Sequence, residues 1–137
     1  MIVFDTNALL RCYLQDNKEI ADSVQERMNR ELFIIPTVVI AEIVYVLLKV
    51  YRVDRPTIEA ALNALIRHEN AHVFRRPVIQ EALDVFCETK FDFVDCLMIG
   101  YAKVEGRRIV TYDKDLQKYL ARFWIDSESK PFEETPE

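Results

Sequence analysis

Short apolar runs alternate with amphipathic helical patterns along most of this chain, and that alternation constrains the fold more than any other feature. Runs at Ile2 to Phe4, Leu32 to Ile35, Ala71 to Phe74, Arg108 to Tyr112 and Arg122 to Asp126 are read as strands. Helical patterns fill the intervals, over Ala8 to Gln15, Lys18 to Arg30, Thr37 to Tyr51, Thr57 to His68, Val78 to Glu88, Phe93 to Glu105 and Lys114 to Leu120. Strands separated by helices cannot pair as hairpins, so they pair in parallel across helical crossovers. The expected fold is α/β, a single-domain α/β/α sandwich around a central, mostly parallel sheet. A length of 137 residues, half of them hydrophobic, suits one such core. The last stretch, residues 127–137, is polar, acidic and Pro-containing, and is expected to be a tail beyond a domain of residues 1–126.

The ends of these elements carry the chemistry. In open α/β sheets, ligands bind outside the carboxyl ends of the strands. Asp5 follows the first apolar run, and Asp113 follows the β-branched run Ile109-Val110-Thr111. Each is equally explained as a helix N-cap. Asp92 and Asp95 open the helix at Phe93, where a cap and an acid at its third position also fit. Asp115 fits a solvated first-turn acid. Glu42 is the only charge between Thr37 and Leu48, in a helix apolar on nearly every side, and is expected to be buried with a salt-bridge partner or a metal. If the sheet gathers these acids, each pair of carboxylates about 4 Å apart repels by about 4 kcal/mol at an effective dielectric near 20. Protons or a hard divalent cation must then compensate, and such a cation suits phosphodiester hydrolysis.

Several classes are set aside. A net charge of −5 argues against a general basic nucleic-acid-binding surface. The three cysteines, Cys12, Cys87 and Cys96, lack metal-site spacing and read as reduced thiols. No leader and no membrane-length apolar run is found, so a cytoplasmic location without a membrane partner is expected. There is no P-loop, no Gly-rich dinucleotide loop and no hydrolase-type Ser or Cys nucleophile, and His68 and His72 receive no catalytic role. Phosphate contacts could come from Arg11, Lys49-Arg52-Arg55, Arg75-Arg76 or Arg107-Arg108, all of which also fit solvated faces. Arg11 is the preferred candidate for a substrate contact.

The set Val3-Phe4-Asp5-Thr6-Asn7, Glu42 in its apolar helix, Asp92-Phe93-Val94-Asp95-Cys96-Leu97 and Val110-Thr111-Tyr112-Asp113 resembles the PIN-domain family, most closely the VapC-type ribonuclease toxins of toxin–antitoxin pairs. The resemblance runs to about Asp126 and implies a PIN-like nuclease domain. By motif, it implies a catalytic and metal-binding set of Asp5, Glu42, Asp95 and Asp113, with Mg²⁺ or Mn²⁺ as cofactor. Thr6, Asn7 and Thr111 become supporting groups, with Asp92 or Asp115 as a further acid. The implied function is a metal-dependent endoribonuclease, the toxin of a type II pair, forming a homodimer and silenced by a cognate antitoxin that Arg11 could also contact. Cys96 stands where the family commonly has alanine, and Gly100-Tyr101 replaces its usual small residues. The alternative is a non-catalytic PIN-like RNA-binding or protein-interaction module. A phosphoacceptor or aspartate-nucleophile phosphatase ranks lower, because Asp5-Thr6-Asn7 lacks the expected acid pair.

Overall fold

In the computed structural model, β1 (Ile2–Val3) lies parallel to β2 (Phe33–Ile34), which lies parallel to β3 (Ala71–His72). The register sets Ile2 beside Phe33 and Phe33 beside Ala71. The structure describes residues 1–123 and the short strand at 132–133. Contacts divide the chain into two compact units, Met1–Arg76 and Pro77–Glu137.

In the first unit, α1 (Thr6–Leu14) and α2 (Lys18–Arg30) link β1 to β2, while α3 (Thr37–Lys49) and α4 (Arg55–Ile66) link β2 to β3. Helical crossovers are what parallel strands require. Asn17 caps α2 by accepting from the Ile20 N–H. Phe33, Ile35, Ile40, Leu47, Ile58, Leu62 and Ile66 are fully buried. Phe4 packs edge-on against Phe33 with ring centroids 5.3 Å apart.

The second unit holds most of α5 (Arg76–Glu88), together with α6 (Phe93–Glu105), β4 (Ile109–Val110) and α7 (Lys114–Ala121). β5 (Phe132–Glu133) pairs in parallel with β4. Gly106 ends α6 with φ of 64°, the left-handed conformation that glycine adopts without strain. Gly100 permits a close approach: a β-carbon there would meet the Val78 carbonyl at 2.8 Å. That contact explains why this helical position is smaller than its neighbours.

The structure adds to or departs from the sequence pattern in four places. The run Ile2 to Phe4 is not a wholly buried strand: Val3 is 59% exposed, while Phe4 is buried. In α2, Ile20 is exposed although Ala21, Val24 and Met28 form the buried stripe. The strand expected over Arg122 to Asp126 begins as a turn at Arg122 and Phe123, and its remainder lies outside the described residues. The residues read as a tail include β5.

Candidate active site

At the carboxyl end of β1, Asp5 takes extended backbone angles and caps α1, its Oδ1 accepting from the Ala8 N–H at 2.8 Å. The capping reading is therefore realised. It occupies one carboxylate oxygen and holds the side chain in place at the sheet edge. The next residue, Thr6, donates its hydroxyl to Glu42 Oε2 at 3.0 Å. The first candidate segment thus fixes the side chain of the second, 36 residues later. Asn7 is exposed in the first turn of α1.

Glu42 corrects the burial expected of it. The helix α3 buries Ile40, Ile43, Val44 and Leu47. Glu42 lies exposed on another face, where Val38 and Tyr45 are 71% and 62% exposed. An apolar composition without strict periodicity hid which face was which. The carboxylate is not a buried charge within the chain; it is an exposed acid among exposed apolar side chains.

In the second unit, Asp92 occupies the N-cap position of α6 but makes no side-chain capping bond. Asp95 sits half-buried one turn on. Burial, then the nearby charges of Asp113 and Asp92, push its carboxyl above the usual range. Asp92 is among the acids whose charge raises Asp95. Asp115 is exposed beside Lys118 and Arg122. Asp113 caps α7, accepting from the Leu116 N–H at 2.9 Å. Its own N–H donates to Thr111 Oγ1 at 3.1 Å. Gln117, almost fully buried, donates to the Thr111 carbonyl at 2.7 Å and closes the turn. Sequence reasoning missed Gln117; an amide beside Leu116 in the buried row of a short helix was the available signal.

Arg11 is engaged within the first unit. Its Nη1 pairs with Asp16 at 2.5 Å and its Nη2 donates to the Tyr51 hydroxyl at 3.4 Å, while its Nε is buried without a partner. The guanidinium ties α1 to the chain just beyond α3. A cavity of about 350 Å³ in the first unit, lined by Leu9, Cys12, Met28, Ile43, Leu62 and His68 among others, includes none of the candidate acids.

Among the described residues, no three His, Cys, Asp or Glu side chains are gathered closely enough to hold a metal ion as they stand. What each unit does offer is hard carboxylate oxygen, the donor type that Mg²⁺ and Mn²⁺ take. In the second unit the Asp95 carboxyl is raised by burial first, and then by the nearby charges of Asp113 and Asp92. The donor chemistry fits a divalent cation.

The family model for the PIN domain matches residues 2–121. This chain belongs to the PIN-domain family. The PIN domain accounts for the α/β architecture. A VapC ribonuclease of Aquifex aeolicus (strain VF5) is 27% identical over 124 residues, covering 86% of this PIN-domain chain and 91% of that protein. No solved structure gives a significant match. No helix among the described residues is long and apolar enough to cross a membrane.

Proposed function

We propose that this PIN-domain protein is a metal-dependent endoribonuclease that hydrolyses RNA phosphodiester bonds, the toxin of a type II toxin–antitoxin pair. The observation that carries this reading is the setting of Asp95, a half-buried carboxyl raised first by burial and then by the nearby charges of Asp113 and Asp92, with no basic side chain among the causes. Like charges near one another cost stability unless a cation offsets them, which favours a ligand for these acids. Membership of the PIN family and the similarity to a VapC ribonuclease supply the substrate class.

Asp5, Glu42, Asp95 and Asp113 would hold Mg²⁺ or Mn²⁺, an assignment of all four to one site that rests on the family's motifs. When bound, the ion supplies Lewis acidity toward a phosphate oxygen and lowers the pKa of water. The chain's own groups orient the carboxylates: Ala8 N–H holds Asp5, Thr6 holds Glu42, and Thr111 with Gln117 shapes the turn that presents Asp113. A homodimer is proposed from the exposed apolar residues Val38 and Tyr45 on the helix that carries Glu42. A cognate antitoxin offering a basic side chain would answer the acids, and the setting is cytoplasmic.

The second reading, a non-catalytic PIN-like RNA-binding or protein-interaction module, draws support from the absence of a ready three-residue metal cluster among the described residues. Cleavage of total RNA and of structured RNA fragments decides between them. Cleavage that needs Mg²⁺ or Mn²⁺, stops with EDTA and falls more than about 100-fold in Asp5→Asn supports the nuclease, since groups that merely orient a ligand cost about 10–100-fold. Binding of RNA without cleavage under every metal condition supports the module.

A further inference from the structure

We propose that Phe74 and Arg75 form a clamp for single-stranded RNA, with Phe74 stacking on a base and Arg75 contacting the adjoining phosphate. The inference rests on the ribonuclease reading and concerns how its substrate is seated. The parallel sheet fixes the placement. Asp5 lies two residues beyond β1, and Phe74 lies two residues beyond β3. Parallel strands end on one edge, so both leave the sheet from its carboxyl side. One strand, β2, separates β1 from β3, which sets the two exits about 10 Å apart across the sheet.

Three observations mark this segment. Phe74 is 69% exposed, so its ring contributes little to the core. The Arg75 guanidinium carbon lies 5.1 Å from the ring centroid, leaving the cation and the aromatic face together at the surface. Arg75 has φ of 52°, a conformation that residues with a β-carbon rarely adopt and that clusters at ligand clamps. Its neighbour secures the turn: Arg76 Nη2 donates to the Ala71 carbonyl at 2.9 Å, back onto β3. A single exposed phenylalanine needs no explanation by itself. An exposed ring, a cation against it and a strained backbone on the edge that carries Asp5 make a stacking platform, which accepts any base because every base has a π-face.

The test uses the full chain, with fluorescently labelled single-stranded RNA of mixed sequence. Binding is read in EDTA, and cleavage with Mn²⁺. Phe74→Ala is expected to raise Kd and KM about tenfold while kcat stays within about twofold, as loss of one stacked base implies. Phe74→Tyr, which keeps the ring, is expected to restore both. Arg75→Gly keeps the positive φ without strain; it is expected to weaken binding about threefold to tenfold and to reduce the salt slope by about 0.7, one phosphate contact on a single strand. Unchanged Kd and KM in Phe74→Ala and Arg75→Gly, with wild type cleaving, would overturn the clamp and leave the ribonuclease standing. Phe74-dependent binding without cleavage by wild type would retain the clamp and overturn the ribonuclease. A wild type that neither binds nor cleaves overturns both.

Discussion

In the first unit both candidate acids accept hydrogen bonds; in the second Asp113 does so too, but Asp95 lies near like charges. Asp5 accepts a backbone N–H and Glu42 accepts the Thr6 hydroxyl. Asp95 instead feels burial together with the charges of Asp113 and Asp92, and Asp92 forgoes the capping bond its position offers. A hydrogen-bonded carboxylate is stabilised in its charged form and can remain as placed. A half-buried carboxylate near like charges is disfavoured in its charged form. The difference separates acids held by hydrogen bonds from one whose surroundings disfavour its charge.

The largest effect should come from removing charge at Asp95. Asp95→Asn is expected to lower metal-dependent RNA cleavage more than about 100-fold, beyond the range of orienting groups. The same change should leave the metal-free protein at pH 7 as stable or more so, by up to about 1 kcal/mol after solvent screening. The sign follows from the raised carboxyl. The folded chain binds this proton more tightly than the unfolded chain, whose ordinary value is 3.8. Stability from this group is therefore fullest below that value and falls as pH rises through the raised one. Thermal melts across pH with EDTA check it; a less stable Asp95→Asn at pH 7 would break the comparison.

Thr6→Val addresses the partnered side. Without the hydroxyl, Glu42 loses its donor, and cleavage should fall about 10–100-fold, while melting changes little because the bond is exposed. Equal cleavage by Thr6→Val and wild type would show that the bond orients nothing.

Caps sharpen the contrast through stability alone. Asp5→Ala and Asp113→Ala should each lose about 1 kcal/mol, since each removes an acceptor from a helix N-terminus. Asp92→Ala should lose less than about 0.5 kcal/mol, because no capping bond is made. Urea denaturation of the three variants distinguishes them, and a large loss in Asp92→Ala would contradict the geometry.

The smallest functional effect is expected for Arg11→Met. It keeps an unbranched apolar stem while removing the ion pair with Asp16, so RNA affinity should match wild type within about twofold and stability should fall only slightly. A tenfold loss of RNA affinity, read by anisotropy, would support Arg11 as a substrate contact.

The sequence by itself determined the alternation of strands and helices, their parallel pairing, and the places where acids stand. These are local matters: periodicity, β-branched runs, cap residues and a C-terminal glycine act within a few neighbours, as at Asn17 and Gly106. Family membership was legible for the same reason, because short motifs in order survive where overall identity is low. Tertiary structure alone decided that Glu42 is exposed and held by Thr6, because an apolar helix does not announce which face meets the core. It alone spent Arg11 on Asp16 and Tyr51, and set Gln117 behind Thr111. Those outcomes depend on which elements pack together over tens of residues, and no spacing along the chain encodes the resulting distances.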